Sequence, residues 1–199
     1  MILLAVDTAG PRLQLALLRA DNSIDSVVED LAKGHAEILF GRIDTLLARN
    51  GLSYRDLRRI AVTTGPGSFT GLRIGMSAAR GLGLALSIPV IGVPSLLAIS
   101  LEAPPSEGEH PFSVAVPAGR GGTYHQHFSA PGRPAGDPEL IEGDWLNGGQ
   151  PDLVGPFCDI ERLARFAADA DPADYPPNPT YVRDADAKPQ NKARVARLS

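Results

Sequence analysis

Short, nearly unbroken apolar runs alternate along the first half of this chain with stretches in which apolar residues return every three or four positions. Ile2 to Asp7 (ILLAVD) is a run of the first kind and reads as a buried strand. A turn at Ala9-Gly10-Pro11 separates it from a second strand, Leu13 to Arg19, and Asp21-Asn22 separates that from a third, Ser23 to Asp30. Connections this short predict an antiparallel meander. From His35 to Gly51 the period changes: Leu39, Ile43, Leu46 and Leu47 recur at helical spacing, and Asn50-Gly51 is a natural stop. A strand follows around Ile60 to Thr64, then a helix from about Thr70 to Leu86, a strand over Ile88 to Val93, and a third helix opening at Pro94 or Ser95.

The order βββ-α-β-α-β-α predicts parallel pairings with right-handed crossovers behind the meander. This is an α/β chain with the ribonuclease-H-like arrangement shared by the actin and sugar-kinase (ASKHA) superfamily, expected as two lobes. The first covers residues 1–105. Pro104 to Pro111 is a linker by composition. A smaller second lobe is expected over 106–187, with a hairpin turning at Gly119 to Gly122, a mostly irregular stretch from Ala130 to Gln150, a short strand at DLVGP and an amphipathic helix from Cys158 to Ala170. Asp171 to Pro179 suits an extended crossing segment, and 188–199 is a basic tail.

Charge sharpens this division. The 199 residues carry a net charge of −4. Lys188, Lys192, Arg194 and Arg197 stand in a tail without acids, which leaves 15 basic against 23 acidic residues, −8, for the body. Such a body is not a nucleic-acid surface, so any direct RNA contact falls to the tail. The single cysteine, Cys158, excludes an intrachain disulfide and a cysteine-based zinc site. The first residues lack the basic start of a signal peptide. Gly81 to Leu101 is uncharged and long enough to span a bilayer, but Pro89, Pro94 and three glycines break it into a helix end, a strand and a new helix. A cytoplasmic protein with no membrane partner is expected.

The stretch from Thr63 to Gly81, TTGPGSFTGLRIGMSAARG, raises two candidate chemistries. GPGSFTG precedes a helix, the place for a phosphate cradle. The dinucleotide fingerprint fails because Thr70 stands where its third glycine belongs, and the P-loop fails because Leu72-Arg73 replaces Lys-Ser/Thr. A tight turn at Pro66-Gly67, capped by Ser68 or Thr70, is the alternative. Gly71, Gly75, Ala79 and Gly83, four apart, form a stripe of minimal side chains that admits another backbone. Either the stripe packs on the chain's own sheet, or it docks another subunit together with Leu72, Met76 and the wide apolar arc of the His35 helix, Leu39, Phe40, Ile43 and Leu47. On the second reading Gly75→Leu blocks association and leaves a folded monomer. Arg73, near the helix start, needs an anion from Glu37, Asp44, another chain or a ligand.

Little else suggests catalysis. Asp7-Thr8 ends the first strand where actin-like ATPases place a metal–nucleotide acid, or caps a turn. His35 reads as a first-turn cap rather than a ligand. His125 and His127 share one face of a strand without a third ligand in register. There is no nucleophile elbow and no credible Ser/His/Asp set. No catalytic residue, metal or cofactor is expected.

With these motifs placed, the chain resembles the TsaB family of bacterial proteins required for threonylcarbamoyladenosine in tRNA. GPGSFTGLRIG (Gly65 to Gly75) is close to a family signature; VDT (Val6 to Thr8), HAEIL (His35 to Leu39) and GVPSL (Gly92 to Leu96) also fit, as does the closing Tyr181 and Arg183 of PTYVRDADAK. One region departs: PAGRGGTYHQ has Pro117 and Gly122 where the family usually has acids. The resemblance implies an actin-like fold with a degenerate nucleotide site at Asp7 and Thr8. It also implies a non-catalytic subunit that binds and activates the paralogue TsaD, with the ATPase TsaE completing the assembly and tRNA bound indirectly or through the tail. In TsaD a metal-binding HxxxH pair is expected, which the histidines here at 35, 110, 125 and 127 do not form. The first two helices are the implied contact surface: His35, Leu39, Phe40, Ile43, Leu47, Gly71, Leu72, Arg73, Gly75, Met76, Ala79 and Gly83. A homodimer through the same helices is the expectation when TsaD is absent. An actin-like ATPase or small-molecule kinase is the alternative function, disfavoured by the lack of a second placed acid; a metallopeptidase is disfavoured by the lack of HxxxH.

Overall fold

A computed structural model describes residues 1–104, 111–118, 121–143, 151–180 and 182. Residues 105–110 of the linker, residues 119–120 of the expected hairpin turn, the closing Tyr181 and Arg183, and the basic tail therefore lie outside the described residues. The meander forms as expected: β1 (Leu3–Asp7), β2 (Arg12–Leu18) and β3 (Ile24–Asp30) pair antiparallel, Leu3 opposite Leu18 and Arg12 opposite Asp30. β4 (Arg59–Gly65) joins β1 in parallel and β5 (Val90–Pro94) joins β4, giving the order β3-β2-β1-β4-β5 of the ribonuclease-H-like and actin-like fold.

The period-two alternation of β1 divides the core. Leu4 and Val6 face α1 (His35–Arg49) and α2 (Phe69–Leu86), where Leu39, Ile43, Leu46, Leu47, Met76 and Ala79 are buried. Leu3 and Ala5 face the other way, against α3 (Ser95–Ser100) and α4 (Ile160–Asp169). The uncharged stretch after Arg80 resolves into the end of α2, β5 and α3, and no helix among the described residues is long and apolar enough to cross a membrane.

The second sheet is built on β6 (Phe112–Ala118) and β7 (Gly122–Ala130), paired antiparallel with Ala118 opposite Gly122. Two differences from the sequence reading appear here. The stretch read as mostly irregular contains β8 (Arg133–Pro134) and β9 (Glu139–Glu142), which pair with opposite ends of β7. Both are too short, two and four residues, to show alternation. β10 (Leu153–Val154) adds in parallel to β6. The helix read as part of the second lobe, α4, lies on β1 and β2 of the first sheet, with Leu163, Ala164 and Ala167 fully buried in a core shared with Val114, Val116 and Phe128. Its apolar face thus packs against residues of both sheets.

Arg59 explains how α4 is held there. Its Nη1 donates to the carbonyls of Ala167, Ala168 and Ala170 at 2.7, 3.0 and 2.8 Å, closing the C-terminus of the helix with a cation. Arg59→Met keeps the stem and removes three charge-assisted bonds. It is expected to cost about 2 kcal/mol, seen as a melting temperature lower by about 4–8 °C; an unchanged melting curve contradicts this anchor. Beyond α4 the chain crosses back as an extended segment: Gly92 N donates to Tyr175 O at 2.8 Å and Thr180 N to Thr64 O at 2.9 Å.

Candidate functional site: a turn, a cleft and an apolar groove

The Gly-rich turn is committed to its own fold. Ser68 caps α2, its Oγ accepting from Gly71 N at 3.3 Å, while Ser68 N donates to Ala9 O at 2.6 Å. The glycines permit this contact between the β4–α2 and β1–β2 connections. An added Cβ on Gly67 would sit 2.7 Å from Ala9 O, and one on Gly71 1.9 Å from Thr8 O. The stripe continues inward: a Cβ on Gly75 would meet Thr8 Oγ1 at 2.4 Å and one on Gly83 would meet Val90 Cγ2 at 2.3 Å, with Ala79 fully buried between them. The stripe Gly71, Gly75, Ala79 and Gly83 therefore packs on the chain's own sheet and is not a docking face. The expected folded Gly75→Leu monomer is withdrawn with it.

Asp7 and Thr8 are equally committed. Thr8 Oγ1 donates to Gly71 O at 2.7 Å. The Asp7 carboxylate, 2 % exposed, accepts from Ala9 N, Thr63 Oγ1 and Gln14 Nε2 at 2.9, 2.6 and 3.0 Å, and Cys158 Sγ lies 3.7 Å from it. It ties β1 to β2, β4 and the start of α4. Burial, then the neighbouring carboxylates of Asp7 and Glu102, push the Cys158 thiol well above its ordinary pKa, so it stays protonated and is no nucleophile. Asp7→Ala strands three buried donors and is expected to cost about 2–3 kcal/mol. Asp7→Asn, which keeps the shape and one acceptor oxygen, should lose less; a thermal melt that leaves Asp7→Ala at the parent temperature overturns this structural role.

Between the sheets lies a cleft of about 890 Å3. The first lobe lines it with Lys33, His35, Glu37 and the Gly67–Gly71 turn; the second supplies Val116, Pro117, Tyr124 and Pro156. Among the described residues the second lobe thus brings no carboxylate or cation to its wall. Pro117 and Gly122, where the family pattern has acids, pair within β6 and β7 with Thr123 and Ala118. His35 is buried, its Nε2 3.1 Å from Arg12 O, and joins α1 to β2. His125 and His127 do share a face, their rings 4.6 Å apart, with Glu139 Oε1 3.0 Å from His125 Nδ1.

Adjoining the cleft, with Ala36, Phe69, Thr70 and Ile74 common to both, α1 and α2 border an open groove of about 690 Å3. Ala36 and Phe40 on α1 face Phe69, Thr70, Arg73, Ile74, Ser77 and Leu82 on α2 across it. Phe40 and Phe69 are 47 % and 57 % exposed, large for aromatic side chains. Of the expected interface residues Leu39, Phe40 and Arg73 line this groove, with Leu39 buried at its floor. Leu39, Ile43, Leu47 and Met76 form the core beneath it, and Leu72 is half-buried against Gly65. Phe69 was missed although the sequence held a signal: it is an aromatic residue between a cap and a glycine, four before Arg73. No carboxylate meets Arg73 among the described residues, so neither Glu37 nor Asp44 is its partner. Its guanidinium lies 3.8 Å from the centre of the Phe69 ring, and Asp44 instead bonds Tyr54.

Known proteins agree with this architecture. The family model described as TsaD, tRNA N6-adenosine threonylcarbamoyltransferase, matches residues 26–132. The tRNA threonylcarbamoyladenosine biosynthesis protein TsaB of Bacillus subtilis (strain 168) is 33% identical over 153 residues, 73% of this chain and 65% of the relative. That of Escherichia coli (strain K12) is 33% identical over 128 residues, 64% of this chain and 55% of the relative. The chain thus spans somewhat more than half the length of these relatives. In fold, YeaZ from Pseudomonas aeruginosa superimposes with a TM-score of 0.74 at 24% identity, covering 90% of this chain and 100% of that one. A second Pseudomonas aeruginosa structure, described as similar to peptidase YeaZ, reaches 0.78 at 24% identity over 92% of this chain and 99% of that one. With a family model over more than half its length and a curated relative at 33% identity over 73% of it, the chain belongs to the TsaB family.

Proposed function

We propose that this chain is a non-catalytic scaffold of the complex that adds threonylcarbamoyl to the adenosine beside the anticodon of tRNA, acting by binding and activating TsaD. The observation that carries the reading is the α1/α2 groove, an exposed apolar surface with two aromatic rims and no function inside the chain. The names of the relatives point to the pathway, and the match of this chain to the TsaD family model favours a TsaD-related complex. The subunit works in the cytoplasm. TsaE joins the assembly, tRNA reaches it through the partners or the tail, and two copies pair through the same groove when TsaD is absent.

The committed Asp7 supports a subunit without its own turnover: a carboxylate saturated by three donors is not free to organise a metal–nucleotide. The purified chain is therefore expected to show no transferase, peptidase or kinase activity and no heat of binding with ATP and magnesium. Turnover of ATP abolished by Asp7→Asn contradicts this and favours an actin-like ATPase. The direct test of the proposal is to mix the chain with TsaD from the same organism. Comigration on size exclusion, and threonylcarbamoylation of tRNA that needs both proteins, are expected; activity of TsaD and TsaE unaffected by this chain overturns it.

A further inference from the structure

The two edges of the first sheet are closed by different means. β3, at one edge, is charged: it carries Asp25, Glu29 and Asp30, and Arg49 Nη2 donates to Ser26 O at 3.0 Å. β5, at the other, is Val-Ile-Gly-Val-Pro, a strand without a charge. Gly92 N points away from β4, since it donates to Tyr175 O at 2.8 Å. Alternation along the strand turns the backbone groups of Val90 outward with it. Pro94 turns the same way but has no N–H to offer. An uncharged edge of this kind is a template for a strand of another molecule.

Residues 172–180 occupy this edge and wrap it from one face of the sheet to the other. Tyr175 packs on the α4 side, its ring at right angles to that of Phe166 with centres 5.2 Å apart. Pro177 lies on the α2 side, where it lines a hollow with Gly83, Leu84 and Ile88. Thr180 N donates to Thr64 O at 2.9 Å and closes the wrap at the end of β4, while Arg59 holds its start through Ala170 O. Gly92 lets the wrap lie close: an added Cβ would sit 2.5 Å from Pro176 O and 2.7 Å from both Pro177 Cα and Thr64 Cγ2. Of these nine residues, Pro172, Pro176, Pro177 and Pro179 lack an N–H. The segment therefore covers the edge without presenting a ladder of its own.

We infer that residues 172–180 are an edge guard: they stand in the place of a sixth strand and prevent β5 of a second copy from pairing with β5 of the first. With the guard lifted, the edge would pair with itself about a two-fold axis. Val90 and Gly92 of each copy would exchange backbone hydrogen bonds, and two sheets would become one. This contact is separate from the α1/α2 groove and does not depend on what occupies it.

The test uses the full chain carrying Phe40→Asp, so that pairing through the groove does not mask pairing through the edge. Gly92→Ala drives a methyl into the backbone of Pro176 and Pro177, Tyr175→Ala removes the ring that rests on Phe166, and Tyr175→Phe keeps that ring as the control. In dilute Tyr175→Ala the Gly92 amide should exchange hydrogen about tenfold faster than in Phe40→Asp alone, the upper end for one backbone hydrogen bond. Sedimentation of Gly92→Ala and Tyr175→Ala should show a mass that climbs with concentration toward twice that of the monomer or beyond, with the amides of Val90 and residue 92 protected in the associated form. Tyr175→Phe should stay with Phe40→Asp in both measurements. If Gly92→Ala and Tyr175→Ala are as monomeric as Phe40→Asp at every concentration, the guard is overturned, whether or not the Gly92 amide exchanges faster. Association that leaves Val90 and residue 92 unprotected overturns the edge as the contact.

Discussion

Gly71→Ala is expected to lower the melting temperature by roughly 6–12 °C, about 3 kcal/mol for a chain of this size. The added methyl would lie 1.9 Å from Thr8 O, a backbone atom, and no rotamer change relieves it. Gly75→Leu adds a larger side chain 2.4 Å from Thr8 Oγ1 and 3.6 Å from Val62 Cγ2, and should prevent stable folding. Gly81→Ala in the same helix is the control. Nothing lies within 4 Å of its added Cβ, so the gain in helix propensity acts alone and the variant should be more stable by up to about 1 kcal/mol. The same chemical change on one helix thus has opposite signs at two positions. A Gly71→Ala protein as stable as Gly81→Ala contradicts the inward orientation of the stripe.

The glycine stripe also marks the limit of what the sequence makes legible. The first lobe was readable because β1 to β5 and α1 and α2 keep clean periods and sharp stops, as at Asn50-Gly51. The helix boundaries shifted by only a residue: α2 begins at Phe69, not Thr70. The direction of the stripe was not readable. A glycine has no side chain to declare itself apolar, and both faces of α2 bear hydrophobic residues, Met76 inside and Ile74 and Leu82 half-exposed. What decides the matter is Thr8, a residue 63 positions away brought into contact by the β1–β4 pairing. The commitment of Asp7, the candidate nucleotide acid, to its own fold was not readable for the same reason. Asp7 is where such an acid belongs, but its fate depends on Thr63, Gln14 and Cys158, which come from three other segments. The placement of α4 on the first sheet depends on Arg59 and on a core assembled from both sheets. The two helices named for the interface form as expected, and most of the residues named on them pack inside the chain.

The second large effect concerns that interface. Phe40→Asp places a carboxylate where an aromatic ring is half-exposed at the mouth of an apolar groove, and Phe69→Asp does so on the facing helix. Neither residue belongs to the core, so each variant should melt within about 2 °C of the parent. In a docked complex the same side chains are buried, and an unpaired charge there has no solvent to stabilise it. Each change is expected to weaken TsaD binding about thirtyfold or more, the range of a central aromatic anchor. Leu84→Asp is the matched control: Leu84 is 84 % exposed on the same helix but does not line the groove.

The most direct measurement is therefore paired, melting temperature and TsaD affinity on Phe40→Asp, Phe69→Asp and Leu84→Asp. Three folded proteins, of which only Leu84→Asp still binds TsaD as the parent does, is the result predicted for a scaffold that docks through α1 and α2. Parent-like binding by both groove variants contradicts it.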